Sequence, residues 1–117
     1  MNSPKVGFFE APFLHNTQSP HIMTYDEFLG RNRKCTVVAR YPNKIGETLT
    51  LYLIADTPYP SLDVIEIYRE QELWGTDVDR TRFSELEGKQ VHAFFVVTRD
   101  STLVGVSAMF RFEILAQ

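Results

Sequence analysis

From position 34 onward the chain alternates apolar and polar residues, and this period of two constrains the fold more than any other feature. In 34–41 the odd positions are Cys35, Val37, Ala39 and Tyr41, while the even ones are Lys34, Thr36, Val38 and Arg40. Successive side chains of a strand point to opposite faces, so the segment is expected to be a strand with one buried and one wet side. Residues 47–56 repeat the pattern, with Leu49, Leu51, Leu53 and Ala55 opposed to Thr48, Thr50, Tyr52 and Ile54. Pro42 to Gly46 reads as a turn, and the two segments are expected to pair as a hairpin. A third strand is expected over 62–69, after the break at Thr57-Pro58-Tyr59-Pro60, with a helix as the alternative for so short a run. A fourth covers 89–98, with Val91, Ala93, Phe95 and Val97 on one face. The turn Arg99-Asp100-Ser101 then leads into 102–115, read as one long closing strand with Val104, Val106, Ala108, Phe110, Phe112 and Ile114 on one side.

Two short helices interrupt the strands. Thr24-Tyr25-Asp26-Glu27 spells a capping box, in which the threonine oxygen takes an orphan amide while the glutamate reaches back to the cap residue. A second helical pattern covers 79–87, with Phe83 and Leu86 three apart and Gly88 placed to end it. Residues 1–23 carry Pro4, Pro12 and Pro20 and read as an extended arm that docks through aromatic anchors, not as a regular element. Trp74, in Glu72-Leu73-Trp74-Gly75, is expected at a loop tip, with core anchor, stacking platform and protein hot spot as its open roles.

Composition agrees with strands: Val, Ile and Thr number 26 against 16 for Ala and Leu, and there are 15 aromatics. At 117 residues the chain has room for one domain, with an arm and short helix in 1–33 and a β-barrel in 34–117. The order of strands and helices, with a short helix ending at Gly88 and feeding the fourth strand, resembles that of the OB-fold. That fold is a five-stranded, partly open Greek-key barrel. The expectation is therefore a mainly β, OB-like barrel with one or two short helices.

Most catalytic and metal chemistries lack their residues. Cys35 is the single cysteine, so no internal disulfide can form and a reducing, cytoplasmic setting is expected. No apolar run suits a secretory signal or reaches the ~20 residues of a membrane span. His15, His21, His92 and Cys35 do not fall at zinc-ligand spacing. Asp77-Val78-Asp79 echoes a calcium loop, but Arg82 stands where glycine should turn and Gly88 where a glutamate should bind. Neither a nucleophile elbow nor a phosphate-cradling glycine loop is present. No metal, cofactor or catalysis is expected; an enzyme would require a pocket built on His92 or on paired carboxylates.

Charge is segregated although the net value is only -3. Between positions 28 and 46 lie Arg31, Arg33, Lys34, Arg40 and Lys44 with no acid, whereas 61–88 holds eight acids against three arginines. Cations beside exposed rings suit single-stranded DNA or RNA, where phosphates meet the charges and bases stack on aromatics. Tyr52, Tyr68 and Trp74 are the expected rings. The rival expectation is a protein-interaction or inhibitor module that docks a basic partner through its acidic 61–88 face and Trp74. The long closing strand would also offer an edge on which a second copy can pair as a homodimer.

Overall fold

The computed structural model describes residues 6–15, 17–30 and 35–116. Arg31, Arg33 and Lys34, expected phosphate contacts, lie outside the described residues. The elements in chain order are β1 (Gly7–Phe9), β2 (Phe13–His15), β3 (Ile22–Met23), α1 (Tyr25–Gly30), β4 (Cys35–Arg40), β5 (Thr48–Ile54), β6 (Ser61–Glu66), β7 (Leu73–Val78), α2 (Arg80–Leu86), β8 (Gln90–Arg99), β9 (Thr102–Ser107) and β10 (Phe110–Ile114). The fold is mainly β, with ten strands in two sheets among the described residues in place of five in one barrel. Seven strands form a sheet curled into a half-barrel, and β2, β4 and β7 form a second sheet across from it.

The alternation places the core between the sheets. Leu49, Leu51 and Leu53 of β5 and Val91, Ala93, Phe95 and Val97 of β8 are buried from the larger sheet; Val37 and Ala39 of β4 and Val78 of β7 meet them from the smaller. The helices close one end, where Phe28 of α1 stacks on Phe83 of α2 at 4.6 Å between ring centroids. Both helix starts are capped, the first by the box that the sequence spells. Thr24 Oγ1 accepts from Glu27 N–H at 3.1 Å while Thr24 N–H donates to Glu27 Oε1 at 3.2 Å, and Asp79 Oδ1 accepts from Arg82 N–H at 2.9 Å. Gly88, at φ +75°, follows α2 in the left-handed region that its missing Cβ allows.

Strand pairing departs from expectation at four places. First, β4 and β5 are not a hairpin: β4 pairs with β2 and β7, whereas β5 pairs with β6 and β8. The 42–46 segment carries the chain from one sheet to the other and is pinned to the return crossover. Asn43 donates to Gln71 O at 2.7 Å and accepts from Gln71 N–H at 3.1 Å, and Gly46 N–H donates to Ile67 O at 3.0 Å. Second, Trp74 is not at a loop tip. It lies in β7 opposite Ala39, and Trp74, Thr76 and Val78 alternate inward along that strand.

Third, the closing segment is two strands. β9 and β10 both pair with β8, on either side of an interruption at Ala108 and Met109, and the inward phase changes across it. In β9 the buried positions are Gly105 and Ser107; in β10 they are Phe112 and Ile114. A one-residue slip exchanges the faces of a strand, so no single alternation spans 102–115. Fourth, the arm contributes regular elements: β1 pairs in parallel with β9, β2 antiparallel with β4 and β3 in parallel with β10. The β9 and β10 edge expected to receive a second copy is thus taken by the arm.

Candidate nucleic-acid interface

Of the described candidate residues, Arg40 ends β4, and Lys44 and Tyr68 lie on the two crossovers that the Asn43–Gln71 bonds hold together. Arg40 ends β4 on the outward phase, its guanidinium 5.6 Å from the centroid of the Phe13 ring in β2. Its Nη2 also stands 3.4 Å from Glu72 Oε1, with both side chains more than half exposed. Such a pair gains little in water and is screened by salt, so a phosphate can compete for the guanidinium. Lys44 is exposed on the first crossover, which the Asn43–Gln71 bonds hold beside the second. On that second crossover Tyr68 is 67% exposed, and the Arg69 guanidinium lies 5.3 Å from its ring centroid.

Trp74 and Tyr52 do not join this group. Trp74 is buried, and Tyr68 meets it edge-on at 5.6 Å; its own indole N–H finds no acceptor among the described residues. Facing the core, the indole has no open surface for a base. Tyr52 lies on the outward phase of β5, stacked at 4.8 Å and 12° on Phe94 of β8. Tyr52 is not among the residues that line the groove beside Arg40.

Besides Phe13, a second ring of the arm lies near Arg40. Phe9 turns inward, its ring 5.1 Å from Tyr41 and 5.9 Å from Phe95. It occupies the space left by Gly105, where an added Cβ would clash with the ring and come within 2.8 Å of Gly7 O. With Phe9 inward, period two sends Phe8 outward, and it is 75% exposed. Phe8, Glu10, Arg40, Tyr41 and Pro42 line an open groove of about 520 Å³. The sequence signal for Phe8 was only the Phe8-Phe9 pair, which does not say which ring faces solvent. What it lacked was the pairing of β1 with β9, which brings the ring to the end of β4.

Half of the acidic residues of 61–88 make bonds within the fold. Asp63 binds Arg82 through both carboxylate oxygens and also accepts from Thr76; Glu66 accepts from Thr48, Asp77 accepts from Thr36, and Asp79 caps α2. Below the groove, Tyr41 OH donates to Glu47 Oε1 at 3.3 Å, and Lys44 N–H donates to the same oxygen at 2.8 Å. Burial, and then the charge and hydrogen bond of Glu47, push the Tyr41 phenol well above its ordinary pKa. The pair anchors the crossover under the groove. Comparison with protein-family models, with curated proteins and with solved structures finds no match to this chain.

Proposed function

We propose that the protein binds single-stranded nucleic acid without catalysis, using its curled wall as an OB-like barrel does. One observation carries this: an exposed aromatic ring, Phe8, and a solvent-facing guanidinium, Arg40, border the same open groove. Phosphates would meet Arg40, Lys44 and Arg69, together with Arg31, Arg33 and Lys34, which precede β4 in sequence. Bases would stack on Phe8 and Tyr68. Each such stack contributes ~1–3 kcal/mol and tolerates any base, since every base has a π-face. Affinity then falls as salt rises, with a slope of about -0.7 per phosphate neutralised.

A fluorescent oligothymidylate titrated at two salt concentrations tests the proposal. Binding at low salt that weakens at high salt is the expected result, and both Phe8→Ala and Arg40→Glu should weaken it by about tenfold. Charge reversal at Glu70 should leave it intact; a protein partner recruited by the acidic segment would respond the opposite way. No binding at low salt would reject nucleic acid as the ligand.

A further inference from the structure

The segment Thr57-Pro58-Tyr59-Pro60 joins β5 to β6 and is held stiff. Its two prolines fix their own φ angles, Thr57 N–H donates to Ala55 O at 2.8 Å, and Thr57 Oγ1 donates to Tyr59 O at 2.9 Å. The Tyr59 ring is nevertheless 83% exposed and adds nothing to the core. A rigidly presented ring loses little conformational freedom when something stacks on it. Tyr59 borders a concavity of about 580 Å³ whose opposite wall carries Glu85 of α2 and Lys89. Lys89 also lines an adjoining depression of about 470 Å³ that contains Gln90 and His92. Its Nζ donates to the backbone carbonyl of Asp56 at 2.6 Å, a neutral acceptor, while Glu85 and Asp56 line the same two depressions. The ion pairs among the described residues, Arg40–Glu72 and Arg82–Asp63, do not involve it.

From these groups we infer a second ligand site, separate from the Phe8–Arg40 groove, that takes a ribonucleoside monophosphate. The base stacks on Tyr59, the phosphate sits on Lys89 towards Gln90 and His92, and the ribose hydroxyls donate to the Glu85 carboxylate. The carboxylate would repel a bare phosphate, so it selects the end of the ligand that carries donors. The concavity falls within the ~300–1,000 Å³ usual for small-molecule sites. A nucleotide of a longer strand presents the same base and phosphate, and the two sources are separable.

Calorimetric titration of the full chain with 5′-AMP, adenosine and inorganic phosphate tests the site. AMP should saturate below about 10 mM, with adenosine and phosphate each about tenfold weaker. Tyr59→Ala and Lys89→Gln should each weaken AMP about tenfold without moving the melting temperature. Glu85→Gln should weaken AMP while leaving its 2′,3′-dideoxy analogue unchanged. Failure of AMP to saturate, or equal AMP binding by Tyr59→Ala, Lys89→Gln and the wild type, would overturn the site. Oligonucleotide binding that falls in Tyr59→Ala while AMP does not bind would overturn the free nucleotide as its ligand. Because Arg40→Glu should reduce oligonucleotide binding and spare AMP, this site and the proposed strand-binding groove can fail independently.

Discussion

At the scale of single residues, Tyr41 joins the core to the candidate groove. Its ring packs among Phe9 and Phe95 while its hydroxyl reaches the buried Glu47. Folding raises the phenol's pKa, so the folded chain holds that proton more tightly than the unfolded one. The corresponding stability is whole below the ordinary tyrosine value of about 10 and is lost as pH climbs from there towards the higher folded value. Melting temperature should therefore drop more steeply above about pH 10 in the wild type than in Tyr41→Phe, which keeps the ring and removes the ionisable group. Parallel curves for the two proteins would show that the buried phenol does not couple folding to pH.

At the scale of elements, the break between β9 and β10 poses a hydrogen-bonding problem that one hydroxyl solves. Where β8 changes partners, Phe95 N–H donates to Ser107 Oγ at 2.8 Å, and that hydroxyl donates onward to Ala108 O at 2.8 Å. Ser107→Ala would leave a buried amide unpaired and should cost about 1–3 kcal/mol in chemical denaturation, with strand content retained by circular dichroism. A Ser107→Ala protein as stable as the wild type would mean that another acceptor serves Phe95. Sequence pattern revealed much at this level. Strands with three or more alternations, such as β5 and β8, announce themselves, as do helices whose caps are local spellings. What it concealed is non-local. A run of two or three residues such as β1 or β3 has no period to detect, and Ala108-Met109 hides a phase change inside an apolar stretch. Trp74-x-Thr76-x-Val78 did alternate, yet Gly75 and the flanking acids made the segment resemble a turn. The groove was concealed for the same reason, since Phe8 meets Arg40 only once the arm has found β9. The cations of 28–46 were readable; which ring stood beside the described one was not.

At the scale of the whole molecule, one arginine ties the two sheets together. Arg82 of α2 donates from Nη1 and Nη2 to the Asp63 carboxylate of β6 at 2.9 and 2.5 Å, and from Nη1 to Thr76 Oγ1 of β7 at 2.6 Å. Nη2 also donates to Leu62 O at 3.2 Å, covering part of the outer edge of β6. The arginine side chain is only 19% exposed, and the Asp63 hydrogen bond raises its already high pKa, so the guanidinium stays charged through the ordinary range. Arg82→Ala should lower unfolding free energy by about 2 kcal/mol, and Arg82→Lys should recover only part of that because an ammonium cannot grip both carboxylate oxygens. Full recovery by lysine would reduce the clip to a simple charge attraction. The arm binds the molecule together in a different manner, and its consequence is one of timing. On a ribosome, residues 7–9 and 22–23 emerge long before 105–107 and 113–114, the partners on which they must lie. β1 and β3 are thus made well before β9 and β10 and cannot be placed until those partners have emerged.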